Sequence, residues 1–260
     1  MRREELRTAE LLRRYGDPAC YEDMLQTIAR GQAEILEATA LGVLMRHTRA
    51  GLYMLAGDAQ RMSALAGQIP AEAKDVLIHG AMPPQEVHRL RQRFGCANAL
   101  PFVVYAYYGD CPPQEESVDI RPLGMDALDV LYANYGHASR EYLAERIADG
   151  VMIGAYVDGR LAGFIGEHVE GSMGLLHVMP EYRRHHLGYK LERADLRRTM
   201  LLGHVPFCQV VPDNHASRSL QRRLNMTQAE GMLYWITDDT FCSVSVFRTE
   251  KGGRTPRKRR

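Results

Sequence analysis

Cysteine is scarce in this sequence, and its placement excludes the disulfide-rich and zinc-binding classes of protein. The 260 residues include five cysteines, and none lies in a CxxC pair or at zinc-ligand spacing from a histidine. They are scattered along the chain, at Cys20, Cys96, Cys111, Cys208 and Cys242. The adjacent histidines His185 and His186 start a predicted helix and cannot converge on one ion. We therefore expect reduced thiols, a cytoplasmic location and no metal.

Net charge and long apolar runs are also lacking. The chain has 33 Lys and Arg residues against 32 Asp and Glu residues, which gives no general attraction to nucleic acid or acidic membranes. No apolar run reaches the length of a membrane span, and residues 1–16 are too charged for a signal peptide. Residues 250–260 are basic and predict a disordered tail, with nucleic-acid or membrane contact as the less favoured alternative. The sequence predicts a soluble protein.

Residues 1–112 alternate between predicted strands and helices, a pattern typical of an α/β layer. Asp58 is a good N-cap for a short helix, and Pro84 begins another. The apolar run over residues 100–108 predicts a strand. We find no phosphate-binding loop or catalytic cluster in this half. We predict that residues 1–112 form a smaller N-terminal α/β domain.

Residues 109–117 (GDCPPQEES) predict an exposed linker between domains, the alternative being a long loop within one domain. After the linker, residues 117–249 predict the order strand, two helices, three strands, helix, strand, helix, two strands. The dipeptide Asp158-Gly159 predicts a hairpin turn. The last two strands, 231–237 and 242–248, predict a closing hairpin. We therefore predict a second domain over residues 117–249.

The chain is organised around residues 174–203, which predict a strand, a tight turn and a helix. The apolar residues 175–179 suit a buried strand. The turn carries Arg183 and Arg184 in front of a helix N-terminus, whose unpaired N–H groups and positive dipole end attract phosphate. Gly188 allows the backbone to come close to a ligand. The alternative is a basic turn with solvated arginines and a glycine selected for packing.

This turn resembles the signature of the GNAT superfamily of N-acyltransferases: Arg or Gln, two residues, Gly, one residue, then Gly or Ala. Arg183 takes the first place and Gly188 the last, while His186 stands at the family's middle glycine. A second family feature follows at Asn214, Ser217, Leu220 and Leu224. The resemblance covers the C-terminal half and implies a GNAT fold there, an α/β (α+β) fold with a mixed sheet. The N-terminal half is similar in element order to that of glycine N-acyltransferase-type relatives.

The resemblance implies that the chain binds acetyl-CoA or another acyl-CoA as a co-substrate. In the family, the pantetheine arm enters between two splayed strands, which correspond here to residues 175–179 and 207–211. A backbone N–H in the first strand is expected to steady the oxyanion. For Asn214, a helix N-cap is the alternative role. The residues implied to contact the cofactor are Val178, Met179, Arg183, Arg184, His186, Leu187, Gly188, Tyr189, Asn214 and Ser217.

A direct attack of an amine on the thioester needs a base that accepts a proton. His177 is a candidate because histidine titrates near neutral pH, and Glu167 is a second candidate. Their alternatives are a satisfied histidine in a half-buried strand and a solvated surface carboxylate. Glu170 and Ser172 precede the central strand and are predicted to bind the substrate.

Many family members supply the general acid as a tyrosine just after the leucine that corresponds to Leu220. Here that residue is Gln221, and an amide cannot give up a proton at neutral pH. Either the thiolate leaves unaided, or another group such as Tyr234 acts as the acid. The sequence thus predicts an N-acyltransferase that acts on the amine of a small molecule or amino acid. The alternative is a non-catalytic acyl-CoA-binding or scaffold protein.

Overall fold

A computed structural model describes residues 2–80 and 82–238. These residues form a mixed α+β fold, as the sequence predicts. The helices are α1 (Arg3–Arg14), α2 (Glu22–Ala29), α3 (Ala59–Ala66), α4 (Pro84–Arg93), α5 (Leu128–Asn134), α6 (Arg140–Ala148), α7 (Leu187–Leu201) and α8 (His215–Arg223). The strands are β1 (Ala33–Thr39), β2 (Gly42–His47), β3 (Tyr53–Gly57), β4 (Asp75–His79), β5 (Asn98–Ala106), β6 (Asp119–Pro122), β7 (Met152–Val157), β8 (Arg160–Glu167), β9 (Met173–Val178), β10 (Phe207–Val210) and β11 (Thr227–Thr237).

Local signals in the sequence are confirmed where side chains or turns determine them. The Asp58 carboxylate accepts a hydrogen bond from the backbone N–H of Arg61 and caps α3. The Ser139 hydroxyl caps α6 in the same way. Asp158 and Gly159 both have positive φ angles, 49° and 75°, as the two-residue turn between β7 and β8 requires. None of the helices within the described residues is long and apolar enough to span a bilayer.

The strands of the described residues form two sheets, and the larger one crosses the predicted domain boundary. A seven-stranded sheet has the order β1-β2-β3-β4-β11-β5-β10, and a four-stranded sheet has the order β6-β7-β8-β9. The strand β11 of the second half therefore lies between β4 and β5 of the first half, antiparallel to both. The partner predicted for it, residues 242–248, lies outside the described residues.

The predicted splay between the two central strands is a boundary between sheets. β9 pairs with β8, whereas β10 pairs with β5, so β9 and β10 are in contact but belong to different sheets. The pairing of β8 with β9 is interrupted opposite Leu175, whose φ angle of 53° marks an irregularity in β9. The gap that results is where the candidate site lies.

A buried ion network joins the two halves of the chain. The Glu167 carboxylate, at the end of β8, is paired with Arg30 at 2.9 Å and with Arg198 at 2.8 Å. Thr199 donates a third hydrogen bond to it at 2.9 Å. Arg30 follows α2, while Arg198 and Thr199 lie on α7, so one carboxylate connects elements of both halves.

Candidate active site

A cavity of about 940 Å³ lies between the two sheets, where β9 and β10 separate. Its walls come from both halves of the chain. Leu52 and Phe102 belong to the first half, whereas α6, the segment before it and the turn between β8 and β9 belong to the second. Helices α7 and α8 close one side through Glu192 and Gln221. The cavity is therefore large enough for an extended small molecule that passes between the sheets.

The N-terminus of α7 adjoins this cavity and has the features of an anion site. His186 is its N-cap residue, and no side chain caps the helix. Arg183 and Arg184 are exposed in front of it. Leu176, which lines the cavity, would lie 3.9 Å from a Cβ atom placed at Gly188. The uncapped helix N-terminus, with its positive dipole end, thus lies next to a residue of the cavity wall, and two exposed arginines precede it in the chain.

The packing around Gly188 does not demand a glycine. An added Cβ atom would meet only Val178 at 3.7 Å and Leu176 at 3.9 Å, which are ordinary van der Waals distances. The alternative of a glycine selected for packing therefore finds no support, and the space above it is open to a ligand. The residues on either side of Gly188 contact other parts of the protein. Leu187 is buried, and the ring of Tyr189 lies beneath the guanidinium group of Arg223.

His186 has a left-handed backbone with a φ angle of 57°, and Arg184 has one of 67°. This explains the physical preference for glycine at the family's middle position, because a left-handed residue with a side chain is strained. The imidazole Nδ1 of His186 lies 3.5 Å from the guanidinium of Arg223 on α8. The side chain is exposed.

Of the two backbone N–H groups at the end of β9 that could steady the oxyanion, that of Met179 is already paired, and a role for that of Val178 stays a prediction. The Met179 backbone N–H donates to the Ala162 carbonyl at 3.0 Å, and its side chain is buried among the residues of the α5–α6 core. The Val178 carbonyl accepts a hydrogen bond from Arg183 Nε at 3.2 Å, which anchors the start of the basic turn to β9. These two residues support the turn, while the irregular part of β9 that lines the cavity lies nearer Leu175.

Asn214 and Ser217 lie together at the start of α8 and both line the cavity. The Asn214 side chain accepts a hydrogen bond from the Ser217 backbone N–H at 3.0 Å, so the N-cap role is confirmed. A contact of either side chain with a cofactor stays a prediction.

The three residues predicted to be catalytic lie outside the lining of the cavity. Glu167 is buried in the ion network, so the interpretation of it as a solvated surface carboxylate is wrong. His177 stacks on Phe164, with ring centroids 5.5 Å apart, and burial together with nearby Arg183 lowers its pKa. Tyr234 packs on the opposite face of its strand, against the core beneath α3 and α4.

The predicted substrate residues do lie in the cavity. Glu170 and Ser172 are both buried and both line it, and the Ser172 hydroxyl donates to the Glu170 carboxylate. Glu170, Ser172, Asn214 and Ser217 therefore all line one cavity.

His168, the polar neighbour of Glu167 in the sequence, lines the cavity, although it is not among the predicted site residues. Its Nδ1 lies 3.0 Å from the Tyr142 hydroxyl, and a Cβ atom at Gly174 would lie only 2.5 Å from its Nε2. Burial lowers the pKa of His168, so the imidazole is neutral at pH 7. Strand alternation places Glu167 and His168 on opposite faces, but only the fold shows which face borders the cavity.

Glu192 is a second cavity residue that sequence reasoning missed. It lies one turn into α7 and is buried, and Gln221 Nε2 donates to its Oε1 at 2.7 Å. Burial raises the pKa of Glu192 to about 8. A glutamate between Leu191 and Arg193 looks like a surface residue in the sequence, so no local signal marks it.

Comparison with known proteins agrees with this geometry. Residues 152–236 match the FR47-like protein family. A Drosophila protein of known structure aligns with a TM-score of 0.57 at 14% identity, over 91% of this chain and 97% of its own. A GNAT-family protein from Novosphingobium aromaticivorans aligns with a TM-score of 0.54 at 18% identity, over 84% of this chain and 97% of its own. A GCN5-related N-acetyltransferase from Kribbella flavida aligns with a TM-score of 0.52 at 11% identity, over 88% of this chain and 94% of its own.

The described chain therefore has an acyltransferase-type α+β fold in which a cavity opens between two sheets beside a helix N-terminus. That fold is the GNAT fold, so the predicted resemblance to the GNAT superfamily is confirmed at the level of the fold. No curated protein matches the chain significantly. The likeness of the N-terminal half to glycine N-acyltransferase-type relatives stays a prediction.

Proposed function

We propose that this protein is an acyl-CoA-dependent N-acyltransferase that moves an acetyl group to the amine of a small molecule or amino acid. The observation that carries the proposal is the cavity between β9 and β10, whose wall residue Leu176 lies near Gly188 at the uncapped N-terminus of α7. A pantetheine arm is a narrow, extended chain with amide groups, and such a chain can pair with a sheet edge. The two exposed arginines at 183 and 184 suit the diphosphate.

The residues around the α7 N-terminus fit this co-substrate. Gly188 leaves open space, and within the part of the chain that the structure describes no side chain caps the N–H groups at the start of α7. When bound, acetyl-CoA supplies the activated acyl group as a thioester. The protein contributes the anion site, the walls that exclude water, and side chains that move protons.

The far end of the cavity suits an amine. Phe102 and Trp235 lie side by side, with ring centroids 6.2 Å apart, and both line the wall. The buried carboxylate of Glu170 also lines the cavity and is a suitable partner for an ammonium group. Aromatic rings and a carboxylate together favour a cationic acceptor with an apolar part.

His168 is the best-placed base in this arrangement. With its proton on Nδ1, the neutral imidazole donates to the Tyr142 hydroxyl and keeps the Nε2 lone pair for a proton from the amine. The lowered pKa keeps the imidazole unprotonated at neutral pH. His168 thus takes the role that the sequence suggested for His177.

The binding part of the proposal is tested by a thermal shift assay with coenzyme A. We expect coenzyme A to raise the melting temperature of the wild-type protein, because a ligand that binds only the folded state stabilises it. Arg183→Ala with Arg184→Ala should abolish the shift. Arg160→Ala is the matched control, since Arg160 is an exposed arginine at the β7–β8 hairpin. An unchanged shift in the double variant would contradict the anion site.

The catalytic part is tested by thiol release from acetyl-CoA with a panel of amines. His168→Gln should lower the rate by about 100-fold or more, as expected for loss of a general base. His177→Gln is the matched control, because His177 lies outside the cavity lining. If His177→Gln loses the activity and His168→Gln keeps it, the assignment of the base is wrong.

The alternative is a non-catalytic acyl-CoA-binding or scaffold protein. It is favoured by Gln221, which stands where many family members have a tyrosine, and by the Met179 N–H, which is already paired. This alternative predicts the same coenzyme A shift but no thiol release with any amine.

A further inference from the structure

Glu192 and Gln221 form a buried pair on the cavity wall. Glu192 is 4% exposed and Gln221 is 2% exposed, and both line the cavity. The Gln221 amide donates to Glu192 Oε1 at 2.7 Å. Gln221 also lies within 3.4 Å of the Ser217 hydroxyl, so the pair belongs to the part of the wall formed by α8.

Two acceptor atoms of this pair are left without a donor. Glu192 Oε2 and Gln221 Oε1 are both buried, and neither has a hydrogen-bond partner among residues 2–80 and 82–238. Both atoms are acceptors when the carboxyl group is ionised, and a buried acceptor without a donor costs free energy. A proton on Glu192 Oε2 turns one of these acceptors into a donor and removes a buried negative charge.

The surroundings of Glu192 favour that proton. Burial raises its pKa to about 8, and the nearby Asp195 carboxyl group on α7 raises it further, against the hydrogen bond from Gln221. Cys208 faces it from β10, and burial raises the pKa of that thiol, so the thiol is also uncharged. From α8 it meets the neutral amide of Gln221. Glu192 therefore holds a carboxyl proton at neutral pH.

We propose that Glu192, held by Gln221, is the general acid of the site and takes over the role of the tyrosine that the family places at position 221. This inference rests on the proposed function. The amine nitrogen forms a bond to the thioester carbon and the carbon–sulfur bond breaks, with the electron pair leaving on sulfur. The Glu192 carboxyl group gives its proton to that sulfur and becomes a carboxylate. His168 takes the proton from nitrogen, and exchange with solvent restores both groups.

The first test is independent of turnover. Infrared difference spectra of the ligand-free protein at pH 7, wild type against Glu192→Gln, should show a protonated carboxyl band that the variant lacks. In the wild-type protein this band should disappear as the pH rises through about 8. Asp195→Asn is the control, because Asp195 is buried close by but does not line the cavity. Absence of the band from the wild type at pH 7 would overturn the proposal.

The second test separates this proposal from the proposed function. Glu192→Gln keeps the size of the side chain and should retain the coenzyme A thermal shift while losing about 100-fold or more of the thiol-release rate. The wild-type rate should fall above pH 8, and the variant should lose that decline. If the wild type shows no thiol release, the proposed function fails. If both proteins release thiol at the same rate with the same pH profile, the enzyme remains and the assignment of Glu192 is wrong.

Discussion

A single backbone angle explains why the middle position of the basic turn prefers glycine. His186 has a φ angle of 57°, and a residue with a Cβ atom is strained in this left-handed region. The histidine is exposed and lies near Arg223, without a buried partner that would offset the strain. The departure from the family pattern is therefore tolerated at a cost in stability and leaves the helix N–H groups free.

We predict that His186→Gly stabilises the protein by about 1 kcal/mol, because glycine adopts a left-handed backbone without steric cost. His185→Gly is the matched control, since His185 is equally exposed but does not have a positive φ angle. It should be neutral or slightly destabilising. Chemical denaturation of the three proteins measures the difference. Equal stability of both variants would show that the turn is not strained at His186.

The buried acids of α7 predict the pH dependence of stability. In the folded protein, burial raises the pKa of Glu192 to about 8 and that of Asp195 to about 6, whereas both groups have a pKa of about 4 in the unfolded chain. Between these values the folded state binds more protons than the unfolded state, so its stability falls as the pH rises. Histidines whose pKa is lowered by burial, such as His168 and His177, oppose this trend below about pH 6.5. We therefore expect the free energy of unfolding to decline between about pH 7 and about pH 8.

This decline should be shallower in Glu192→Gln, which has no proton to lose. The measurement is urea denaturation at several pH values, with Glu181→Gln as a control at an exposed carboxylate. A Glu192→Gln profile parallel to that of the wild type would mean that Glu192 is ionised in the folded protein across this range.

At the scale of elements, the contact between α2, β8 and α7 depends on Glu167. Its carboxylate is almost fully buried, and the two arginines that it neutralises are themselves mostly buried. Removal of one partner leaves charges without compensation, which typically costs 3–5 kcal/mol in such pairs. A residue that looked catalytic in the sequence is thus explained by its contribution to packing.

We predict that Glu167→Ala destabilises the protein by about 3 kcal/mol or more. Asp129→Ala is the control, because the Asp129 side chain is 84% exposed in its pair with Arg140 and should cost about 1 kcal/mol or less. Thermal and urea unfolding measure both. A loss for Glu167→Ala no larger than that of the control would show that the network contributes little to stability.

At the scale of the whole molecule, the two halves share one sheet. Removing β11 would leave β4 and β5 without the strand that lies between them, because neither pairs with the other directly. The two parallel strands β3 and β4 would then end in an unpaired sheet edge. The predicted domains over residues 1–112 and 117–249 are therefore joined by backbone hydrogen bonds as well as by the linker.

We predict that residues 1–112 expressed alone do not unfold cooperatively, whereas the full chain unfolds in one transition. Fusion of residues 227–237 to this fragment should restore cooperative unfolding, because they supply β11. Circular dichroism during urea denaturation provides the comparison. A fragment 1–112 that unfolds cooperatively by itself would show that its sheet does not need the strand from the second half.

The sequence by itself determined the local structure: the caps at Asp58 and Ser139, the hairpin turn at Asp158, and the basic turn ahead of α7. These features depend on residues close together in the chain, so propensity and spacing are sufficient. It also indicated the fold, because the order of elements in the second half limits the ways in which they can pack.

Only the tertiary structure decided the pairing of β11, the burial of Glu167, and the assembly of His168, Glu170 and Glu192 around one cavity. A strand's alternation shows that two neighbouring residues face opposite ways, but not which face meets the cavity. The protonation of Glu192 follows from desolvation by elements distant in sequence. Contacts between residues distant in the sequence determine these properties, so the pattern of neighbouring residues does not predict them.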